Sequence, residues 1–109
     1  SYIITDYTKR QAQKLGVKVK PSKNKGKKID VFIGDKKVAS IGALGMMDYP
    51  NWIKSRGLKY ARERRRLYKI RHEKTRNKVG TPSYYADKLL WWNFYFIYII
   101  YNEKLFQRI

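Results

Sequence analysis

The chain contains no cysteine, which excludes a disulfide scaffold, the Cys-containing zinc sites and a thiol nucleophile together. Its single histidine is His72. The His-Glu pair at 72 and 73 could begin a two-histidine zinc motif, but Arg76 stands where the second histidine is required. His72 therefore reads as a surface or helix-cap residue. Acidic residues are equally scarce, with 8 Asp and Glu against 26 Lys and Arg and a formal net charge of +18. So much uncompensated positive charge opposes compaction and favours a partner that supplies negative charge. Long apolar runs are missing too. The only candidate, Leu89 to Tyr101, spans about 13 residues, short of the roughly 20 that a helix needs to cross a bilayer. Ser1 to Gly16 is broken by Asp6, Lys9, Arg10 and Lys14, so no leader is visible and a non-secreted, intracellular protein is expected.

What remains is enough for a folded protein. Hydrophobic residues make up 43% and aromatic residues 16% of 109 positions, far above a solvated basic tail, and the length suits one small domain. Thr5 to Leu15 reads as a short helix ended by Gly16. Val17 to Lys20 alternates apolar and basic residues, and Ser22 to Lys28 reads as a mobile lysine-rich loop. Ile29 to Ile33 and Lys37 to Ile41 flank Gly34 and Asp35, the pattern of a β-hairpin. Asp48 and Pro50 open a helix over Tyr49 to Arg56 that Gly57 ends. The longest helix is expected from Leu58 to about Lys74, with Tyr60, Ala61, Leu67 and Tyr68 on its packing face. Thr81 and Pro82 then cap a further helix.

These elements predict an α+β fold. A small antiparallel sheet, a hairpin plus a possible third strand, packs with a short N-terminal helix and a long basic helix. Residues 1–91 form the domain and 92–109 an aromatic C-terminal extension. The run Leu89 to Tyr101 reads first as a buried helix or strand that completes the core or an oligomer contact, and second as a membrane-surface segment. Trp91, Trp92, Phe94, Tyr95, Phe96 and Tyr98 are its candidate partner or membrane contacts.

The densest charge lies between Lys54 and Lys78, where twelve Lys or Arg residues accompany only Glu63 and Glu73. A helix of this kind can lay guanidinium forks along phosphates, and every phosphate neutralised releases counterions. Arg62, Arg65, Arg66, Lys69, Arg71 and Lys74 are the first-choice contacts with nucleic acid or another polyanion. Lys23, Lys25, Lys27 and Lys28 form a secondary clamp of backbone contacts. No zinc-finger spacing, basic zipper or helix-turn-helix pattern accompanies them, so little sequence specificity is expected. Asp30 and Asp35-Lys36-Lys37 faintly resemble the acidic residues and lysine of a metal-dependent nuclease, but Gly34-Asp35 is ordinary turn chemistry. The chain calls for no catalytic residue, metal or cofactor.

Several segments carry a family resemblance: Lys28 to Ile41, Ile41-Gly42-Ala43-Leu44-Gly45 with Asp48-Tyr49-Pro50, Arg64 to His72, and Tyr85-Ala86-Asp87-Lys88-Leu89-Leu90-Trp91. Over about Thr5 to Trp91 the chain resembles small basic proteins of uncharacterised function encoded by large (giant) DNA viruses of algae and protists. The resemblance implies a virion-associated protein in or from the host cytoplasm or nucleus. There it would lie against the packaged genome, DNA before RNA, or serve as a minor capsid or assembly protein on acidic shell proteins or an internal membrane.

Overall fold

The computed structural model describes residues 2–92. In chain order the elements are α1 (Asp6–Leu15), β1 (Lys18–Pro21), β2 (Lys27–Ile33), β3 (Lys36–Ala43), α2 (Tyr49–Arg56), α3 (Leu58–Arg71) and α4 (Pro82–Leu90). The strands form one antiparallel sheet in the order β1-β2-β3. The architecture is thus the expected α+β class, and the third strand is present.

Local chemistry accounts for most boundaries. Gly34 has φ +59 and Asp35 does not share a positive φ, the backbone of a II′ turn, whose twist matches the two strands it joins. The hairpin closes on the pair Ile33 with Lys36. Further along, the register shifts between Val31 and Phe32 so that Val38 is the extra residue on β3, a bulge that bends the strand. Thr5, Asp48 and Thr81 each accept a backbone N–H at 3.2 Å from Thr8, Asn51 and Tyr84. They cap α1, α2 and α4, each cap being worth about 1 kcal/mol.

The core forms where the sheet meets the helices. Ile29 pairs with Ile41 and Val31 with Ala39, and all four are buried, because residues opposite one another on antiparallel strands share a face. Helix α4 lies on β3, α1 packs on α4 and β1, and α2 packs on α3. Tyr7, Tyr49, Ala61, Tyr85, Leu89 and Leu90 complete the buried cluster.

The carbonyls at the end of α4 have no helical partners of their own, and neighbouring side chains supply the donors. Gln11 Nε2 donates to Lys88 O (3.2 Å), Thr8 Oγ1 to Leu89 O (2.8 Å), Arg65 Nε to Trp91 O (2.8 Å) and Tyr7 Oη to Trp92 O (2.7 Å).

Several sequence expectations change. Helix α3 ends at Arg71 rather than near Lys74, because the chain enters consecutive turns at His72, where Thr75 and Arg76 N–H bond back to His72 O (3.1 and 2.9 Å). That reversal brings α4 back towards the sheet. Leu67, assigned to the packing face, is 38% exposed. Trp91 is buried in the core, so it is a packing residue and not an exposed contact. Trp92 stays partly exposed, while Phe94, Tyr95, Phe96 and Tyr98 lie outside the described residues. Among the described residues no helix is long and apolar enough to cross a membrane.

Candidate nucleic-acid interface

The distribution of charge is decided by where the few acids go. Asp48 is fully buried, and its Oδ2 accepts Lys28 Nζ at 2.8 Å and Tyr2 Oη at 2.6 Å. Asn51 adds bonds to Oδ1 from its backbone N–H and its side chain, at 3.2 and 2.7 Å. Burial beside this carboxylate pushes the Tyr2 phenol far up. Asp87, also fully buried, pairs with Lys69 through Oδ1 and with Lys88 through Oδ2, the latter at 2.8 Å.

Asp30 is buried as well, but its partners are neutral. Ser22 Oγ, Ser40 Oγ and Lys23 N–H bond to it at 2.6, 2.7 and 3.1 Å. Burial alone would raise its pKa, but these donors and Lys37 hold it below the usual carboxylate range. Three of the eight acids thus lie inside the fold, which leaves Asp6, Asp35, Glu63 and Glu73 as the exposed acids among the described residues.

This arrangement corrects part of the lysine clamp. Lys28 begins the buried part of β2 and is 3% exposed. Its ammonium serves Asp48 and lies 5.2 Å from the Tyr2 ring centre. It belongs to the interior because a charge buried there is retained only with a partner. Lys23, Lys25 and Lys27 remain exposed. The sequence predicts a mobile loop here, yet Asp30 gathers its base, and Asn24 Nδ2 bonds to Ser40 Oγ at 2.8 Å.

On α3 the cations divide by helical position. Lys59, Arg62, Arg65 and Arg66 surround an open basin that Tyr49 and Leu58 floor. Spacings of three and four residues put Lys59, Arg62 and Arg66 on one face. Glu63 is the acid of this basin, and Arg66 binds it with Nη2 to Oε1 at 2.6 Å. That contact holds the Glu63 carboxyl below its ordinary range. Arg65 has a second task through its bond to Trp91 O, and its guanidinium carbon lies 5.8 Å from the Tyr49 ring centre.

The other members of the predicted set go elsewhere. Lys69 leans between α3 and α4 onto Asp87, and burial pushes its pKa down to about 8 against the pull of Asp87. Arg71 lies on the opposite side of α3, beside Arg64 and His72, along a second cavity. Lys74 is exposed in the turns that follow α3. Sequence reasoning missed Lys59 and Arg64. Their signal was the i, i+3 and i, i+7 spacing to Arg62 and Arg71.

Tyrosines 60 and 68 pack rather than project. Tyr60 meets Trp52, with ring centres 5.0 Å apart. Tyr68 stacks on Trp91 at 4.4 Å and 8°, with His72 4.3 Å away at 32°. Searches for similar proteins find no family model, no curated protein and no solved structure that matches this chain.

Proposed function

We propose that the protein is a non-enzymatic binding protein for nucleic acid, DNA first, which it holds through phosphates with little sequence specificity. The observation that carries this reading is the basin of Lys59, Arg62, Arg65 and Arg66, which contains one acid while Asp30, Asp48 and Asp87 are turned inward. Cations on successive turns match a row of phosphates, with Arg62 able to bond bidentately while Arg66 shares its fork with Glu63 and Arg65 commits its Nε to Trp91 O. The exposed Lys23, Lys25 and Lys27 add a second, separate set of backbone contacts. In this reading the working site is the virion or the infected cell, against the packaged genome.

The test is titration of a labelled random DNA duplex at several salt concentrations. Wild type is compared with the triple variant Lys59→Gln, Arg62→Gln, Arg66→Gln, which spares the structural Arg65. Wild type should bind with a steep salt dependence, and the variant's slope should be shallower by roughly 0.9 for every phosphate it no longer neutralises. Absence of binding at near-physiological salt would sink the reading. The same charges should then be tested on acidic shell proteins and anionic vesicles.

A further inference from the structure

A second cavity among the described residues lies on the side of α3 away from the basin and has a volume of about 400 Å³. This falls in the range of roughly 300–1,000 Å³ typical of small-molecule sites. Its wall differs in kind from the basin. Trp52, Tyr68, His72 and Trp91 bring aromatic rings to it, and Arg64 and Arg71 bring guanidinium groups.

Three of these rings form a column. Trp91 and His72 both lie within 4.4 Å of the Tyr68 ring centre, a spacing that two rings can share only on its opposite faces. His72 therefore ends the column, and all three rings line the cavity. Burial and the neighbouring Arg71 lower its pKa, with Asp87 opposing, a shift that favours the uncharged imidazole. A flat aromatic end of this kind is what an unpaired base stacks upon.

Arg64 also lines this wall. Its Nε is buried and finds no hydrogen-bond acceptor among the described residues, although its guanidinium carbon lies 5.5 Å from the Trp52 ring centre. That nitrogen is shut off from the cavity, so a phosphate there would meet the outer guanidinium nitrogens of Arg64 and of Arg71, which lines the same wall. Met46, Leu67 and Leu90 close the wall with apolar surface, which suits the faces of a base and not its backbone.

We infer that this cavity is a binding site for one unpaired nucleobase of a single-stranded nucleic acid, with the base stacked at His72 and the adjoining phosphate held by Arg64 and Arg71. The inference deepens the phosphate-binding reading and rests on it. The basin and the lysine loop hold backbone of any strand, whereas the cavity takes a base only where the duplex is open. A base paired within a duplex cannot enter, so single strands gain a contact that duplexes lack.

The test uses the full chain and four labelled probes of equal length: an oligothymidylate, an oligouridylate, an abasic deoxyribose-phosphate strand and a random duplex. Wild type should bind the oligothymidylate roughly tenfold more tightly than the abasic strand, as expected for a stacked base. His72→Ala should remove most of that difference and leave duplex binding unchanged. Equal binding of the thymidylate and abasic strands, with duplex still bound in a salt-dependent way, would overturn the cavity assignment and leave the phosphate reading standing. A preference for bases that survives His72→Ala would also overturn it, because stacking would then lie elsewhere. Failure of every probe at near-physiological salt would remove both readings. Comparison of thymidylate with uridylate decides whether the site takes DNA, RNA or either.

Discussion

Lys28 Nζ lies 2.8 Å from Asp48 Oδ2, and both residues are withdrawn from solvent at 3% and 0% exposure. One contact thus ties β2 to the entrance of α2, where Asp48 is also the N-cap. Removing one member leaves the other charge buried without its counter-charge, which costs about 3–5 kcal/mol. Asp48→Ala should sit at the upper end of that range, because the cap is removed as well. Chemical denaturation measures this, and Lys28→Met should lower stability while leaving the salt slope for duplex DNA unchanged.

Two neighbouring arginines of the basin should separate binding from folding. Arg65 donates to Trp91 O, and losing that charged donor should cost on the order of 1.5–3 kcal/mol of stability in Arg65→Gln. Arg62 is exposed and makes no such bond among the described residues. Arg62→Gln should weaken duplex binding with a stability change within about 0.5 kcal/mol. Parallel unfolding and binding curves on both variants check the contrast.

Glycine at 42 is required by both backbone and space. Its φ is +76, and an added Cβ would come within 2.9 Å of Leu90 Cδ1 and of Lys28 Cδ. Gly42→Ala should therefore destabilise by roughly 1–3 kcal/mol, from left-handed strain and overpacking together. Gly45 meets nothing within 4 Å and lacks a positive φ, so Gly45→Ala should be neutral or slightly stabilising. Thermal melts of the pair provide the comparison.

Lys69 gives stability a dependence on alkaline pH. Its pKa is about 8 in the fold, lowered chiefly by burial from the usual 10.5. Between those values the unfolded chain binds more protons than the folded one, so this group makes stability rise with pH across the window. The gain is complete above the unfolded value and is lost as pH falls through about 8. Because the amine is partly exposed, the effect should be on the order of 1 kcal/mol. Urea midpoints measured from about pH 7.5 to 9.5 should rise in wild type more than in Lys69→Met.

The elements bounded by strong local chemistry are legible in the sequence alone. Gly34-Asp35 marks the hairpin turn, Asp48 with Pro50 and Thr81 with Pro82 mark helix entrances, and Gly16 and Gly57 mark helix ends. Each of these rests on the backbone preferences of a few adjacent residues. The end of α3 is not legible there, because nothing in the composition of His72 to Lys78 forbids another helical turn. What stops it is the return of the chain towards α4, where Thr75 Oγ1 and Ser83 Oγ share a hydrogen bond of 2.7 Å.

The basic character of the surface is equally a property of the sequence, since 26 cations and 8 acids cannot be arranged into a neutral exterior. Which cations face outward was decided only by the tertiary structure. Lys28 and Lys69 look no different in sequence from Lys27 and Lys59. Yet Asp48 and Asp87, 20 and 18 residues further along the chain, draw the first two inward, because a buried carboxylate demands a counter-charge within reach. Tyr68 and His72, by contrast, are neighbours already through their i, i+4 spacing at the end of α3. Only the packing of α3 against the end of α4 adds Trp91 to them and completes the column at the cavity.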